Sequence, residues 1–519
     1  MERKVYGRLV EWKSDPERKP LIIEGVRQCG KTYILKEFGR LNYGSTAYFN
    51  FEKEPSIREL WSTDLNPIRI IRELSILRNR PIRENDTLIV FDEVQNAPEV
   101  LTSLKYFNEE APGYHVVCAG SLLGLLTSKP RSFPVGNVER IRMYPMDFLE
   151  FLKANGEDSL TDYLQSHDLK TRIPLPIHEK LSDYLRDYMV VGGMPKAVES
   201  WTLRHNKASI TRILRNIAAD YRDDFSKHCG SDLEKVVSVW ESMPLQLAKE
   251  NRRFIFGHVK TGSRAKDLEG AVTWLVNAGL AHRVNCVEDP AIPLKGCHKP
   301  TMFKLYMSDI GLLRVLSSKS DNKDIVDADA EKDYRGAMTE NYVLLQLLSD
   351  GIEDVFYWKK GAEEVDFLID GDHGPVPIEV KAGENLKAKS LKSYVGEYSP
   401  KDVFLVSMKD AIGGNMGNTP LYLSGMIPGQ CKDMVEHRME HNDGTFSMRF
   451  SASSWKPSDD GFRMDVPASE HGVDSPGSVS VHDEKGIELG TGIVGRNIDR
   501  KGNVIIDTDL PFDGIITIR

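Results

Sequence analysis

The chain has 519 residues, with 68 Lys and Arg against 77 Asp and Glu and a formal net charge of −9, which excludes a uniformly basic coat for nucleic acid and leaves only local basic patches. That length is more than one ordinary core absorbs and predicts three or more domains. No run approaches the ~20 apolar residues that span a bilayer, and Met1-Glu2-Arg3-Lys4 leads into no signal-peptide core, so a cytoplasmic location without a membrane partner is expected.

The first predicted element is the apolar strand Leu21-Ile22-Ile23, followed by Gly25-Val26-Arg27-Gln28-Cys29-Gly30-Lys31-Thr32 and the helix-like Tyr33-Ile34-Leu35-Lys36-Glu37-Phe38. A G-x-x-x-x-G-K-T loop between strand and helix offers exposed backbone N–H groups to a polyphosphate. Gly25 and Gly30 permit the turn, Lys31 reaches the β- and γ-phosphates, and the Thr32 hydroxyl is a ligand for magnesium. The expected ATP-binding set is therefore Gly25, Arg27, Gln28, Cys29, Gly30, Lys31 and Thr32. The six cysteines, Cys29, Cys118, Cys229, Cys286, Cys297 and Cys431, show no C-x-x-C spacing, so neither a zinc site nor a disulfide framework is expected. Cys29 reads either as an oxidation switch at a helix N-terminus or as a small residue that fits a tight loop.

Downstream, Ile68-Ile71-Leu74-Leu77 reads as the apolar stripe of a helix. Thr87-Leu88-Ile89-Val90-Phe91-Asp92-Glu93 reads as a fully buried strand ending in two carboxylates. Asp92 suits support of the magnesium and Glu93 suits polarising the attacking water, which predicts hydrolysis as well as binding. The next strand, His115 to Ser121, ends where a polar side chain senses a γ-phosphate. The alternation from Leu21 to about Met143 indicates a nucleotide-binding α/β domain over residues 1–150.

From 151 to 235 the pattern is helical, with a turn at Gly192-Gly193-Met194-Pro195 and a charged helix through Ile210, Leu214 and Ile217; a helical lid is expected. Residues 236–320 resemble a winged helix, with a recognition-type helix from Ala265 to Leu275 and a wing strand near Ala281–Val284. Such a helix enters a DNA major groove or serves as a packing module, and only Lys260, Arg264 and Lys266 lie near it.

Several motifs carry a family resemblance: G-V-R-Q-C-G-K-T, L-I-V-F-D-E-V-Q, A-G-S, Tyr144-Pro145-Met146, G-G-M-P, Asp309-Ile310-Gly311-Leu312-Leu313, E-V-D-F and I-E-V-K. Together, over about residues 1 to 425, they resemble the prokaryotic AAA-family ATPases (AAA_14 type, related to archaeal ATPases) that carry a C-terminal DUF4143 domain similar to the PD-(D/E)xK nucleases. The resemblance implies a multidomain α/β protein over those residues: a P-loop NTPase (AAA+) domain with its helical lid, a winged helix and a PD-(D/E)xK-like domain over 321–425; a small β-rich extension over 426–519, which the resemblance does not cover, is expected after it. By analogy the resemblance also implies a homo-oligomeric ring. One departure is that Asn137 follows Gly136 where the family usually has Arg, so an arginine acting on the nucleotide is missing or has moved to Arg140 or Arg142.

A second constellation lies in the C-terminal half. Alternation places Glu364 and Asp366 on one face of a strand and, after the turn Gly371-Asp372-His373-Gly374, Glu379 and Lys381 on one face of the next. A hairpin brings these faces together. Two carboxylates could then hold magnesium or manganese while Lys381 orients water; the same alternation is also what any half-exposed strand shows. The D-x(12)-E-x-K spacing and the family likeness imply a nuclease-type fold, in which Glu340 resembles the helical acidic residue and Glu340, Asp366 and Glu379 are the implied metal ligands. Lys387, Lys389 and Lys392 read as phosphate contacts or as one solvated helix face.

Beyond about Met426 the resemblance ends. Short β-like runs at 478–481, 503–506 and 514–518 suggest a small β module, and 451–476 reads as a linker. The function expected is an ATPase, with Lys31 and Glu93 as its catalytic residues, coupled to a nuclease-like half that acts on DNA through Asp366, Glu379 and Lys381. The rivals are a nucleotide-gated binding or assembly switch with an inactive nuclease fold, and a winged-helix DNA-binding regulator.

Overall fold

A computed structural model describes the chain except residues 122–133, 135, 170, 250–251, 318–331, 384–385 and 411–416; beyond residue 431 it describes the strands alone. The three apolar runs expected as strands are β1 (Leu21–Gly25), β3 (Thr87–Asp92) and β4 (His115–Ser121), and two further strands, β2 (Ser45–Asn50) and β5 (Glu139–Met143), join them. They form an all-parallel sheet in the order β2-β3-β4-β1-β5. Because side chains alternate along each strand, Leu21, Ile23, Leu88, Val90, Val117 and Ala119 face one apolar cluster. Ile22, Ile89, Phe91, Val116 and Cys118 face another. The helix Lys31–Asn42 covers the first face through Ile34, Leu35 and Phe38. Helices Pro67–Leu77 and Pro98–Glu110 cover the second.

The buried stripe of Pro67–Leu77 is Pro67, Ile70, Ile71 and Leu74, which differs from the stripe expected. Ile68 and Leu77 are exposed, because i, i+3, i+4, i+7 counted from Pro67 passes them by.

Helices Phe148–Ala154, Asp158–Gln165, Leu175–Val191, Pro195–Arg204 and Lys207–His228 follow. Next come helices Leu233–Leu247 and Ala265–Asn277 and the antiparallel pair β6 (Ala281–Val287) and β7 (His298–Met307). These two strands do not stand alone: β6 pairs in parallel with β8 (Phe356–Lys360). The sheet continues through β9 (Glu363–Gly371), β10 (Gly374–Lys381), β11 (Phe404–Ser407) and β12 (Asn418–Pro420), in the order β12-β11-β10-β9-β8-β6-β7. One mixed sheet thus runs across residue 320. Val284, Leu305, Phe367 and Val406 share the apolar cluster that includes Leu21 and Val90, and Met1–Cys431 is one compact unit.

Three motifs far apart in sequence meet at one junction. Met146 N donates to Gly193 O (2.7 Å), Gly193 N donates to Asp309 Oδ2 (2.6 Å), and Leu312 N donates to Asp309 Oδ1 (2.9 Å). Asp309 is buried, and burial pushes its carboxyl up to about 6 against the pull of the backbone N–H groups. A Cβ at Gly193 would lie 2.1 Å from Met146 O, so only glycine fits this crossing.

Lys432–Arg519 is a separate unit. Its strands make two four-stranded antiparallel sheets, and Lys456–Ser458 and Gly461–Val466 fall where a linker was expected. The rest of 451–476 lies outside the described residues. No described helix is long and apolar enough to cross a membrane.

Candidate nucleotide site and carboxylate cluster

The phosphate loop leaves the C-terminal end of β1 and enters the helix at Lys31, with Gly30 at φ +99° and Gln28 at φ +64°. Gly25 lies opposite Ser121 of β4 and Met143 of β5. A Cβ there would sit 2.3 Å from Met143 O, so the loop starts where the sheet has no room for a side chain. Lys31 Nζ donates to the carbonyls of Gly25 and Val26, each at 2.8 Å, and so rests on the loop that it would leave for phosphate. Cys29 is fully buried and all six cysteines are free.

Asp92, also buried, ends β3 beside this helix. Its Oδ2 accepts from Thr32 Oγ1 (2.8 Å) and from the Tyr48 hydroxyl (2.6 Å), and its Oδ1 accepts from Glu93 N (3.0 Å). Glu93 has φ +55°, a left-handed conformation that a non-glycine residue adopts at a cost of about 1 kcal/mol or more and that clusters at functional sites. Gln95 Nε2 donates to its carboxylate at 2.5 Å. Burial, and then the Asp92 charge, raise the Glu93 pKa against the pull of Gln95 and Lys31. Thr32 and Asp92 are the residues that would hold a magnesium ion beside the phosphate loop.

The loop is clasped from the other side by the helix Lys207–His228. Arg27 forms an ion pair with Asp224, Gln28 Nε2 donates to Asp220 Oδ2 (2.8 Å) and the Tyr221 hydroxyl donates to Arg27 O (2.9 Å). Arg3, 6% exposed, donates to the carbonyls of Cys29 (2.8 Å) and Tyr144 (2.7 Å) and to Glu150 (3.0 Å). On β5, Arg140 lies 3.6 Å from Glu24 and Arg142 stacks over Tyr144 at 5.3 Å.

In the seven-stranded sheet, β9 and β10 form the expected hairpin, in register from Gly371↔Gly374 to Phe367↔Ile378. Val380 N donates to Asp366 Oδ2 (2.8 Å), and Lys381 Nζ donates to Glu379 Oε1 (2.5 Å). Glu340 comes to the same place from the helix Lys332–Ser349. Its carboxylate pairs with Arg252 and accepts from the Tyr306 hydroxyl (3.0 Å). At the centre stands Lys304 of β7, fully buried. Its Nζ lies 2.8 Å from Glu364, 3.8 Å from Glu340 and 3.9 Å from Asp366, and 5.0 Å from the Tyr357 ring centre. The Glu364 contact is an ion pair without hydrogen-bond geometry. Burial opposes the Lys304 charge, but Glu340, Glu364 and Asp366 outweigh it and raise the pKa, so the group is an ammonium. Burial and the Asp366 charge push Glu379 up to about 8, and burial pushes Glu340 up to about 7 against Arg252 and Lys304. Glu379 Oε2 is buried without a hydrogen-bond partner. Among the described residues no group of three or more His, Cys, Asp or Glu side chains is placed to hold a metal ion.

Sequence reasoning did not find Tyr48, Lys304, Arg252, Tyr306 or the Asp220–Asp224 clasp. Lys304 had one signal: it is the lone charge in Met302-Phe303-Lys304-Leu305-Tyr306-Met307, and a charge inside an apolar strand needs a partner. Lys387, Lys389 and Lys392 are exposed, as are Lys260, Arg264 and Lys266; Lys260 lies 3.4 Å from Glu234.

Comparison with known proteins gives three family matches. Residues 17–152 match an AAA domain, residues 182–323 a domain of unknown function (DUF8612), and residues 335–420 a domain of unknown function (DUF4143). An uncharacterized protein of Methanocaldococcus jannaschii is 26% identical over 408 residues, 78% of this chain and 83% of that one. Among solved structures, a Walker-type ATPase of Pyrococcus abyssi matches at 16% identity, over 61% of this chain and 96% of that one, with a TM-score of 0.39. The ORC1 protein of Aeropyrum pernix, solved in complex with DNA, matches at 14% identity, over 61% and 91%, with a TM-score of 0.23.

Proposed function

We propose that this chain, which carries an AAA ATPase domain and a DUF4143 domain, binds Mg-ATP, hydrolyses it, and works as a nucleotide-gated switch. The observation that carries the reading is the contact of Thr32 Oγ1 with Asp92 Oδ2 at 2.8 Å, immediately followed in the chain by the left-handed Glu93. Bound magnesium would neutralise phosphate charge between Thr32 and Asp92. Lys31 moves from the Gly25 and Val26 carbonyls to the β- and γ-phosphates, and the raised Glu93 carboxylate orients the attacking water.

The state of the loop passes to the helix Lys207–His228 through Arg27–Asp224 and Gln28–Asp220. From that helix Thr211 Oγ1 accepts from Arg314 Nη2 (3.1 Å), on the helix Ile310–Ser317 that follows Asp309. The switch therefore acts on the half of the unit that holds the seven-stranded sheet. Two variants test the reading. Lys31→Ala loses binding of a fluorescent ATP analogue, and Asp224→Asn keeps binding while the exchange protection of amides in 207–228 no longer differs between nucleotide-free and ATP-bound protein. Full ATP turnover in Lys31→Ala would remove the proposal.

A further inference from the structure

The likeness to nucleases calls for a divalent ion among Glu340, Asp366 and Glu379, and the geometry there does not fit one. A magnesium ion needs oxygen ligands at about 2.0–2.1 Å in octahedral array. Beside Glu340 and Asp366 stands instead the Lys304 ammonium, fully buried, at 3.8 and 3.9 Å from the two carboxyl groups and 2.8 Å from Glu364. Each of the remaining carboxylate contacts also ends on protein. Arg252 takes Glu340, Lys359 Nζ lies 2.8 Å from Glu364, Val380 N takes Asp366 and Lys381 takes Glu379. Glu379 Oε2 is the buried oxygen left over, and a single oxygen is not a metal site. Four carboxyl groups, Glu340, Glu364, Asp366 and Glu379, face four cations, Arg252, Lys304, Lys359 and Lys381. A doubly charged ion entering this cluster meets Lys304 at contact distance and finds no net negative charge to neutralise.

We propose that Lys304, backed by Arg252, is the resident cation of this cluster and stands in the place of the divalent ion, so that the seven-stranded sheet binds no metal at Asp366. The role is positioning: the lysine locks β7 to β9 and to the helix bearing Glu340, and makes a rigid polar core of what resembles a nuclease centre. This inference is independent of the ATPase reading, since no residue of the phosphate loop enters it.

The test is Mn2+ binding to the full-length, nucleotide-free protein, read by electron paramagnetic resonance of the free ion. Wild type and Asp366→Asn bind the same amount of Mn2+, because any ion at Thr32 and Asp92 is common to both. Lys304→Met then gains about one equivalent, which Lys304→Met/Asp366→Asn lacks. In a thermal melt Mn2+ raises the midpoint of Lys304→Met by more than it raises that of wild type or of Lys304→Met/Asp366→Asn. An equivalent of Mn2+ bound by wild type and lost in Asp366→Asn overturns the proposal. So does a folded Lys304→Met that gains no Mn2+. If Lys304→Met does not fold, the comparison of wild type with Asp366→Asn decides alone.

Discussion

Replacing Gly25 by Ala probes the point where sheet and phosphate loop are built on each other. The added Cβ would lie 2.3 Å from Met143 O and 3.1 Å from Cys29 Sγ. A carbon and a carbonyl oxygen in contact need about 3.3 Å, so something must move by about 1 Å. The obstacle is backbone of β5, paired in parallel with β1 along Leu21↔Glu139 to Gly25↔Met143, and β1 is held on its other side by β4. The strand therefore yields as a unit, at an overpacking cost of about 1–3 kcal/mol. The displacement falls on the first residue of the loop, where about 1 Å of misplacement costs roughly 10²-fold in rate. The assays are thermal unfolding and steady-state phosphate release, with Gly270→Ala as the control. Gly270 lies in the exposed middle of the helix Ala265–Asn277 with nothing within 4 Å of its Cβ position. That control stabilises by about 0.5–1 kcal/mol, because alanine forms helix better than glycine. A Gly25→Ala protein with wild-type stability and turnover would refute the close approach and the loop placement that rests on it.

Glu93→Gln keeps affinity for ATP and lowers turnover by about 10²–10⁴-fold; turnover near wild type would show that another group orients the water. Tyr48→Phe removes one of the two hydroxyls on Asp92 Oδ2 and costs about 1–3 kcal/mol of stability, read by denaturant unfolding. An unchanged midpoint would deny Tyr48 that role. For Asp309 the folded pKa, about 6, lies above its ordinary 3.8, so the native state holds the proton more tightly and ionisation costs stability. That contribution is whole below pH 3.8 and is lost as pH rises through about 6, a change of about 3 kcal/mol. Relative to Asp309→Asn, wild type therefore loses stability between pH 4 and 7; parallel curves for the two proteins would contradict it.

The nucleotide site was legible because its parts are local. The loop needs glycines at fixed spacing, the helix needs its start at Lys31, and Asp92 ends a run of six buried residues whose periodicity declares a central strand. The hairpin of β9 and β10 was legible for the same reason, since alternation and one glycine turn specify its two faces and its register. What stayed hidden depends on residues far apart in the chain. Arg27 meets Asp224 across 197 positions, Gly193 meets Asp309 across 116 and Arg252 meets Glu340 across 88. No local pattern records such pairings.

Chemistry written in short motifs was thus determined by the sequence itself: a phosphate loop, a strand-end carboxylate pair and an alternating acidic hairpin, each dictated by backbone conformation and the period of burial. Tertiary structure alone decided that β6 and β7 join the sheet of β8 to β12, and that Lys304 enters the acidic cluster. The physical reason is that a buried charge is tolerated only where opposite charges converge on it, and that convergence exists only once distant strands have packed.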